Sequence, residues 1–258
     1  MISMKFELPK LNFSEISQKR LIGKLLRFLL YLIPPTMVVP IFQGSLKGMK
    51  WITGSGNHGC WLGSYEYEKQ TLFSKIIKEG SIVYDIGAHV GFYTLLASEL
   101  VGPKGRVLAF EPLPDNLHYL KKHLRLNQRE NVMAVEAAVA ERSGMTSFEE
   151  SANNYTGRLF SKSRLKVKVV GLDELVLNGK IPPPDYMKID VEGAELLVLE
   201  GAKSILVNCH PTVFLATHGI EMRHQCGTFL RSIGYELQSI NEKNIDETDE
   251  LIAFIKSA

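Results

Sequence analysis

The tightest constraint on the fold is the run Ser81-Ile-Val-Tyr-Asp-Ile-Gly-Ala-His-Val-Gly-Phe-Tyr-Thr94, followed by Val107-Leu-Ala-Phe-Glu-Pro112. An apolar strand ends at Asp85. A glycine turn, Gly87 to Gly91, opens a helix. A second apolar strand ends in another acid, Glu111, and Pro112 stops it. This is the layout of a nucleotide-binding βαβ unit. Its glycines let the backbone approach a ligand, and the second acid accepts bonds from ribose hydroxyls. The first acid decides which nucleotide. A pyrophosphate at that helix N-terminus would be repelled by Asp85, whereas a sulfonium or ammonium would be attracted. The pattern therefore favours S-adenosylmethionine over NAD. Gly87, Ala88, His89, Gly91, Glu111 and Pro112 are the expected cofactor contacts, with Asp85 near the amino-acid end. Glu136 and Ala137, at the end of the next strand, are expected beside the adenine.

From residue 81 onward strand and helix alternate, which implies a parallel sheet with helices on both faces. The predicted strands are 82–86, 106–110, 132–137, 185–190 and 211–217. The predicted helices are 91–100, 115–127, 193–206 and 221–233, with another at 68–79. Two β-rich pieces lie near 145–150 and 166–171. Residues 234–240 and 251–255 read as a closing antiparallel hairpin. The expected fold is α/β and Rossmann-like, a seven-stranded mostly parallel sheet with that hairpin at its end. Residues 64–258 form the cofactor-binding domain. Residues 1–63 form an accessory region, an amphipathic helix followed by a Gly/Trp-rich stretch of small strands and turns.

A net charge of +2 on 258 residues excludes a polycation built for nucleic acid. The first 50 residues nonetheless hold eight Lys or Arg against two acids. The apolar segment 21–33, interrupted by Lys24 and Arg27, is too short to span a bilayer. It reads as an amphipathic helix, and two roles are open to it. It packs on the main domain, or residues 17–33 make peripheral membrane contact on a cytoplasmic protein. Cys60, Cys209 and Cys226 lack metal or disulfide spacing and read as reduced thiols. The sequons at Asn12 and Asn154 read as chance matches.

The second chemical constellation is Asp185-Tyr-Met-Lys-Ile-Asp-Val-Glu-Gly-Ala-Glu195. Charges on a central apolar strand are costly unless paired, and ligands bind at strand carboxyl ends in such sheets. Lys188 and Asp190 are therefore expected at the reaction centre, with Glu192 and Glu195 toward the substrate. For Glu195, a helix-dipole role is equally open. His218 follows another strand end, where it is a candidate general base alongside Asp190. Asp190, Glu192 and His218 offer donors that a divalent cation accepts. No short spacing unites them, and no metal is expected.

These residues together resemble the FkbM-type methyltransferases. The likeness runs from Tyr84 to Ile255. It rests on Asp85-Ile-Gly-Ala-His-Val-Gly-Phe-Tyr-Thr-Leu-Leu-Ala97, Ala109-Phe-Glu-Pro-Leu-Pro-Asp-Asn116, Gly171-Leu-Asp-Glu-Leu175 and Met187-Lys-Ile-Asp-Val-Glu-Gly-Ala-Glu195, the last being the most family-specific. At position 89 the family often carries Asn and this chain carries His. Residues 59–66 look like the leading segment of some members, which would cover the pocket. The resemblance implies an S-adenosylmethionine-dependent O-methyltransferase acting on a hydroxyl of a small molecule, sugar or lipid-linked glycan. Two other readings compete. One is a non-catalytic cofactor-binding protein. The other is a nicotinamide oxidoreductase, because Tyr65-Glu-Tyr-Glu-Lys69 has the YxxxK spacing. That motif precedes the glycine turn, however, and GxGxxG is absent.

Overall fold

The computed structural model describes residues 30, 32–150, 157–159, 165–241 and 243–256. Both sequons and most of the 21–33 segment lie outside these residues. Of that segment, Leu30 and Ile33 pack against the core and Leu32 is exposed. Among the described residues no helix is long and apolar enough to cross a membrane.

The chain begins with a hairpin, β1 (Val38–Pro40) and β2 (Lys50–Ile52), then two helices, α1 (His58–Leu62) and α2 (Tyr67–Ile76). The repeating part follows as β3 (Ile82–Ile86), α3 (Phe92–Val101), β4 (Arg106–Phe110), α4 (Pro114–Leu126) and β5 (Val132–Val135). A side sheet is built from β6 (Ala138–Val139), β7 (Gly144–Glu150), β8 (Gly157–Leu159) and β9 (Leu165–Val170). Then come α5 (Leu172–Leu177), β10 (Tyr186–Ile189), α6 (Glu195–Glu200), α7 (Lys203–Cys209), β11 (Thr212–Ala216) and α8 (Ile220–Ser232). The hairpin of β12 (Glu236–Ser239) and β13 (Glu250–Phe254) closes the chain.

Among the described residues the main sheet has seven strands in the order β12-β13-β11-β10-β3-β4-β5. Strands β11, β10, β3, β4 and β5 run parallel. β13 inserts antiparallel between β11 and β12, which places the predicted closing hairpin at this edge of the sheet. Strand alternation sorts the side chains into two cores. Val83, Val107, Phe214 and Ile252 face the layer of α2, α3 and α4. Tyr84, Leu108, Val213 and Leu251 face the layer of α6, α7 and α8. Near-continuous apolar runs, which supply apolar side chains to both faces, are what a sheet buried on both sides requires.

Three boundaries differ from the sequence reading, each for a local reason. The third strand stops at Val135 rather than 137, and the chain crosses to the side sheet, where Ala138 pairs with Val169. The predicted helix 193–206 is two helices. The break falls at Gly201, where the backbone approaches so closely that an added Cβ would lie 2.1 Å from the Ala140 carbonyl oxygen. The stretch 43–63 contains a short helix as well as strands and turns. Asn57 Oδ1 accepts the Gly59 N–H at 2.7 Å, and Gly63, at φ 75, ends it.

The N-terminal hairpin is clipped to α4. Asn127 Oδ1 accepts the Lys50 N–H at 2.8 Å, and its Nδ2 donates to the Lys50 carbonyl at 2.9 Å. His123 is fully buried and stacks on Trp51 with ring centroids 3.8 Å apart. Its Nδ1 lies 2.8 Å from the Val90 carbonyl, and its Nε2 accepts the Ile52 N–H at 3.2 Å. These partners fix a neutral tautomer, and burial lowers its pKa to about 4. The unfolded chain protonates near 6.5, so it binds more protons than the fold between those values, and stability falls as pH drops through that window. Between pH 7 and pH 5 this one group should cost about 2 kcal/mol. In His123→Gln, denaturant unfolding at those two pH values should show a correspondingly smaller difference.

Candidate active site

The carboxyl ends of β3, β4 and β10 face a cavity of about 620 Å³. Order reverses between β3 and β10, the switch point where open α/β sheets bind ligands. Three left-handed residues in five shape the turn above β3: Gly87 (φ 76), His89 (φ 51) and Gly91 (φ 94). The Gly87 and Ala88 N–H groups both donate to the Phe110 carbonyl at 3.0 Å. A Cβ on Gly87 would lie 1.9 Å from the Asp190 carbonyl oxygen. Glycine is therefore required both for conformation and for contact between two strand ends.

Glu111 lines the cavity at the end of β4 and is 4% exposed. Its Oε2 accepts the His89 N–H at 2.8 Å. Its Oε1 accepts the Leu113 N–H at 2.9 Å and Asn116 Nδ2 at 3.3 Å. A carboxylate offers about four acceptor sites, so Oε2 keeps one for a ligand hydroxyl. Burial raises the Glu111 pKa, and the two backbone bonds partly offset this. Ala88, His89, Pro112, Leu113 and Ala137 share the wall, with Ala138 and Val139 continuing it.

Three expected contacts sit elsewhere. Asp85 is buried beneath the turn and does not line the cavity; its Oδ2 accepts Thr94 Oγ1 at 2.6 Å. Glu136 is exposed and outside the wall, because the chain turns away after Val135. Gly91 caps α3, where an added Cβ would press on Leu120 at 3.0 Å.

Lys188 is buried under the turn. Its Nζ donates to the Gly87 carbonyl at 3.0 Å and lies 3.5 Å from both Asp85 Oδ1 and Asp190 Oδ2. Burial would lower its pKa, but the two carboxylates outweigh this and hold it above the usual lysine value. Asp190 lines the cavity. Burial would raise its carboxyl, but Lys188, then Lys69 and His218, bring it down to about 2.

His218 stands against this group from the end of β11. Its Nε2 is 3.2 Å from Glu192 Oε2 and 3.8 Å from Asp190 Oδ1. Its Nδ1 is 2.6 Å from Glu195 Oε1. The Glu195 hydrogen bond, helped by Glu192 and Asp190, raises the His218 pKa despite burial. Glu195 is fully buried and outside the cavity wall, so the expected substrate contact there is replaced by a hold on His218.

Sequence reasoning missed Lys69. It is 3% exposed and bridges Glu66 at 2.9 Å and Glu250 at 2.8 Å, with Asp190 Oδ2 at 4.0 Å. In the sequence Lys69 stood out only through the YxxxK spacing with Tyr65. Nothing local marks the lysine as buried. Asn57, His58, Cys60 and Tyr65 supply the opposite wall of the cavity.

Fold and cavity define an α/β protein with an open cavity at the carboxyl ends of its sheet, where such sheets bind ligands. Residues 85–258 match the Methyltransferase FkbM domain, and the chain belongs to that family. It is 33% identical over 131 residues to the hexuronic acid methyltransferase AglP of Haloferax volcanii, a match covering 50% of this chain and 53% of that protein. The crystal structure of methyltransferase FkbM from Methylobacillus flagellatus KT aligns with a TM-score of 0.55 at 20% identity. That alignment covers 73% of this chain and 47% of the other. The chain spans about half the length of these relatives.

The turn yields a direct test. Gly87→Ala places a methyl group into the Asp190 backbone at a left-handed position. It should cost more than about 2 kcal/mol and lower Tm by at least about 4 °C. Calorimetry showing an unchanged Tm would mean the two strand ends are not in tight contact.

Proposed function

We propose that the chain is an S-adenosylmethionine-dependent O-methyltransferase acting on a hydroxyl of a sugar-type acceptor. The observation that carries this reading is a buried acceptor, Glu111, across a 620 Å³ cavity from the charged end of β10. The residues present fit the cofactor. Glu111 Oε2 keeps an acceptor site for a ribose hydroxyl, and Gly87, Ala88 and His89 of the glycine turn line the cavity beside it. An excess of carboxylates around the cavity suits a cationic cofactor. Bound there, S-adenosylmethionine supplies a methyl group made electrophilic by its sulfonium.

The protein's own part is then orientation and exclusion of water. Asp190, held down at about 2, stays ionised at working pH and is a weak proton acceptor, so it positions rather than deprotonates. Lys188 ties that carboxylate to the glycine turn. Tyr65 and His58 cover the acceptor side of the cavity. The sugar class follows from the Haloferax relative, whose name specifies a hexuronic acid. The acid at the end of β3 and the absence of GxGxxG stand against the nicotinamide reading.

Titration calorimetry should show binding of S-adenosylmethionine and no binding of NAD. Glu111→Ala should weaken the former by about 1–3 kcal/mol. Asp190→Asn should keep that affinity within a few-fold. Turnover, followed by transfer of labelled methyl to a hexose or hexuronic acid acceptor, should fall about 100-fold in that variant. Unchanged binding in Glu111→Ala would sink the cofactor assignment. Binding without any labelled product across sugar acceptors would favour the non-catalytic alternative.

A further inference from the structure

We propose that Asp190, Glu192 and His218 hold a divalent ion of the first transition series at the wall of the cavity, with Glu195 as a positioning residue behind the imidazole. β10 and β11 are parallel neighbours with Ile189 opposite Leu215, so the residues just beyond the two strands meet. One donor atom from each of the three side chains lies within 4.8 Å of the other two. Nε2 of His218 is 3.2 Å from Glu192 Oε2 and 3.8 Å from Asp190 Oδ1. Ligands held about 2.1 Å from one ion stand about 3–4 Å apart. The three donor types were visible in the sequence but not their convergence, because His218 is 28 residues beyond Asp190 and arrives through sheet pairing.

Asp190 divides its two oxygens. Oδ2 faces Lys188 at 3.5 Å and Lys69 at 4.0 Å. Oδ1 is turned to His218. The lysines therefore do not compete for the oxygen that an ion would take.

Glu195 supplies an independent sign. It is fully buried, its Oε1 is fixed by the Gly193 N–H at 2.9 Å and by His218 Nδ1 at 2.6 Å, and its Oε2 has no hydrogen-bond partner among the described residues. A carboxylate on one ring nitrogen keeps the proton there and turns the lone pair of the other outward, the usual arrangement behind a metal-binding histidine. Here that nitrogen meets two carboxylates, a contact relieved by a bound cation or, without one, by a proton on Nε2. Two carboxylates with one imidazole suit Mn²⁺, Fe²⁺ or Zn²⁺ better than an all-oxygen ion such as Ca²⁺.

The test uses the full chain, stripped with a chelator and dialysed, with neither cofactor nor acceptor present. Mn²⁺ is titrated by calorimetry, with free ion followed by electron paramagnetic resonance. One ion per chain is expected. Glu192→Gln and His218→Gln should each weaken binding at least about tenfold, and Glu195→Gln, which does not touch the ion, about 10–100-fold. Thermal unfolding checks each fold. Glu192, partly exposed, provides the variant least prone to misfold. The proposal fails if no Mn²⁺ binds up to about 1 mM, which would leave His218 as a protonated ion-pair partner. It fails equally if Mn²⁺ binds and folded Glu192→Gln keeps its Kd within twofold. Because no methyl transfer is measured, either result stands apart from the fate of the methyltransferase reading.

Discussion

Lys188 is the interaction on which the rest of the site depends. A buried ammonium in a central strand is tolerated only when its charge is matched and its donors are used. Asp85 on β3 and Asp190 beyond β10 supply the charge, and the Gly87 carbonyl takes a donor. Three strand-end features are thereby fixed relative to each other: the acid under the turn, the turn itself, and the carboxylate at the cavity wall. Removing one partner would leave an uncompensated buried charge. The contact between Gly87 and the Asp190 backbone comes from the same convergence, and it explains why the turn must be left-handed where it is.

Much of this was legible in the sequence, for reasons that can be traced to particular residues. β4 and β11 carry continuous apolar runs, and β3 and β10 are apolar but for Asp85 and Lys188, a pattern that buried parallel strands produce and few other elements do. Glu111 was legible because the spacing from glycine turn to acid is set by the length of one helix and one strand. The failures have a common cause. Glu136 was placed in the site because apolar character persists past Val135, yet Ala138 and Val139 belong to a different sheet. Gly201 breaks a helix because of Ala140, 61 residues earlier. Lys69 is buried by Glu250. In each case the deciding partner is distant in sequence, and local pattern holds no trace of it.

His218 and Glu195 show how burial redistributes roles among residues of the right type. A histidine after a strand end reads as a base, and a glutamate at a helix start reads as a dipole partner or substrate contact. With Glu195 locked beneath the imidazole, the pair becomes one unit that presents Nε2 to Asp190 and Glu192. The chemistry lies in that direction of presentation rather than in either side chain alone.

The Lys69–Glu250 bridge joins residues 181 positions apart. Lys69 precedes the matched family domain, and Glu250 begins the last strand. During synthesis the nascent chain therefore assembles the glycine turn and the Glu111 strand long before Glu250 leaves the ribosome. Until it does, Lys69 lacks one of its two closest counter-charges. The charge pattern of the cavity is thus among the last features to mature, and shortening the chain at either end would disturb the centre of the molecule.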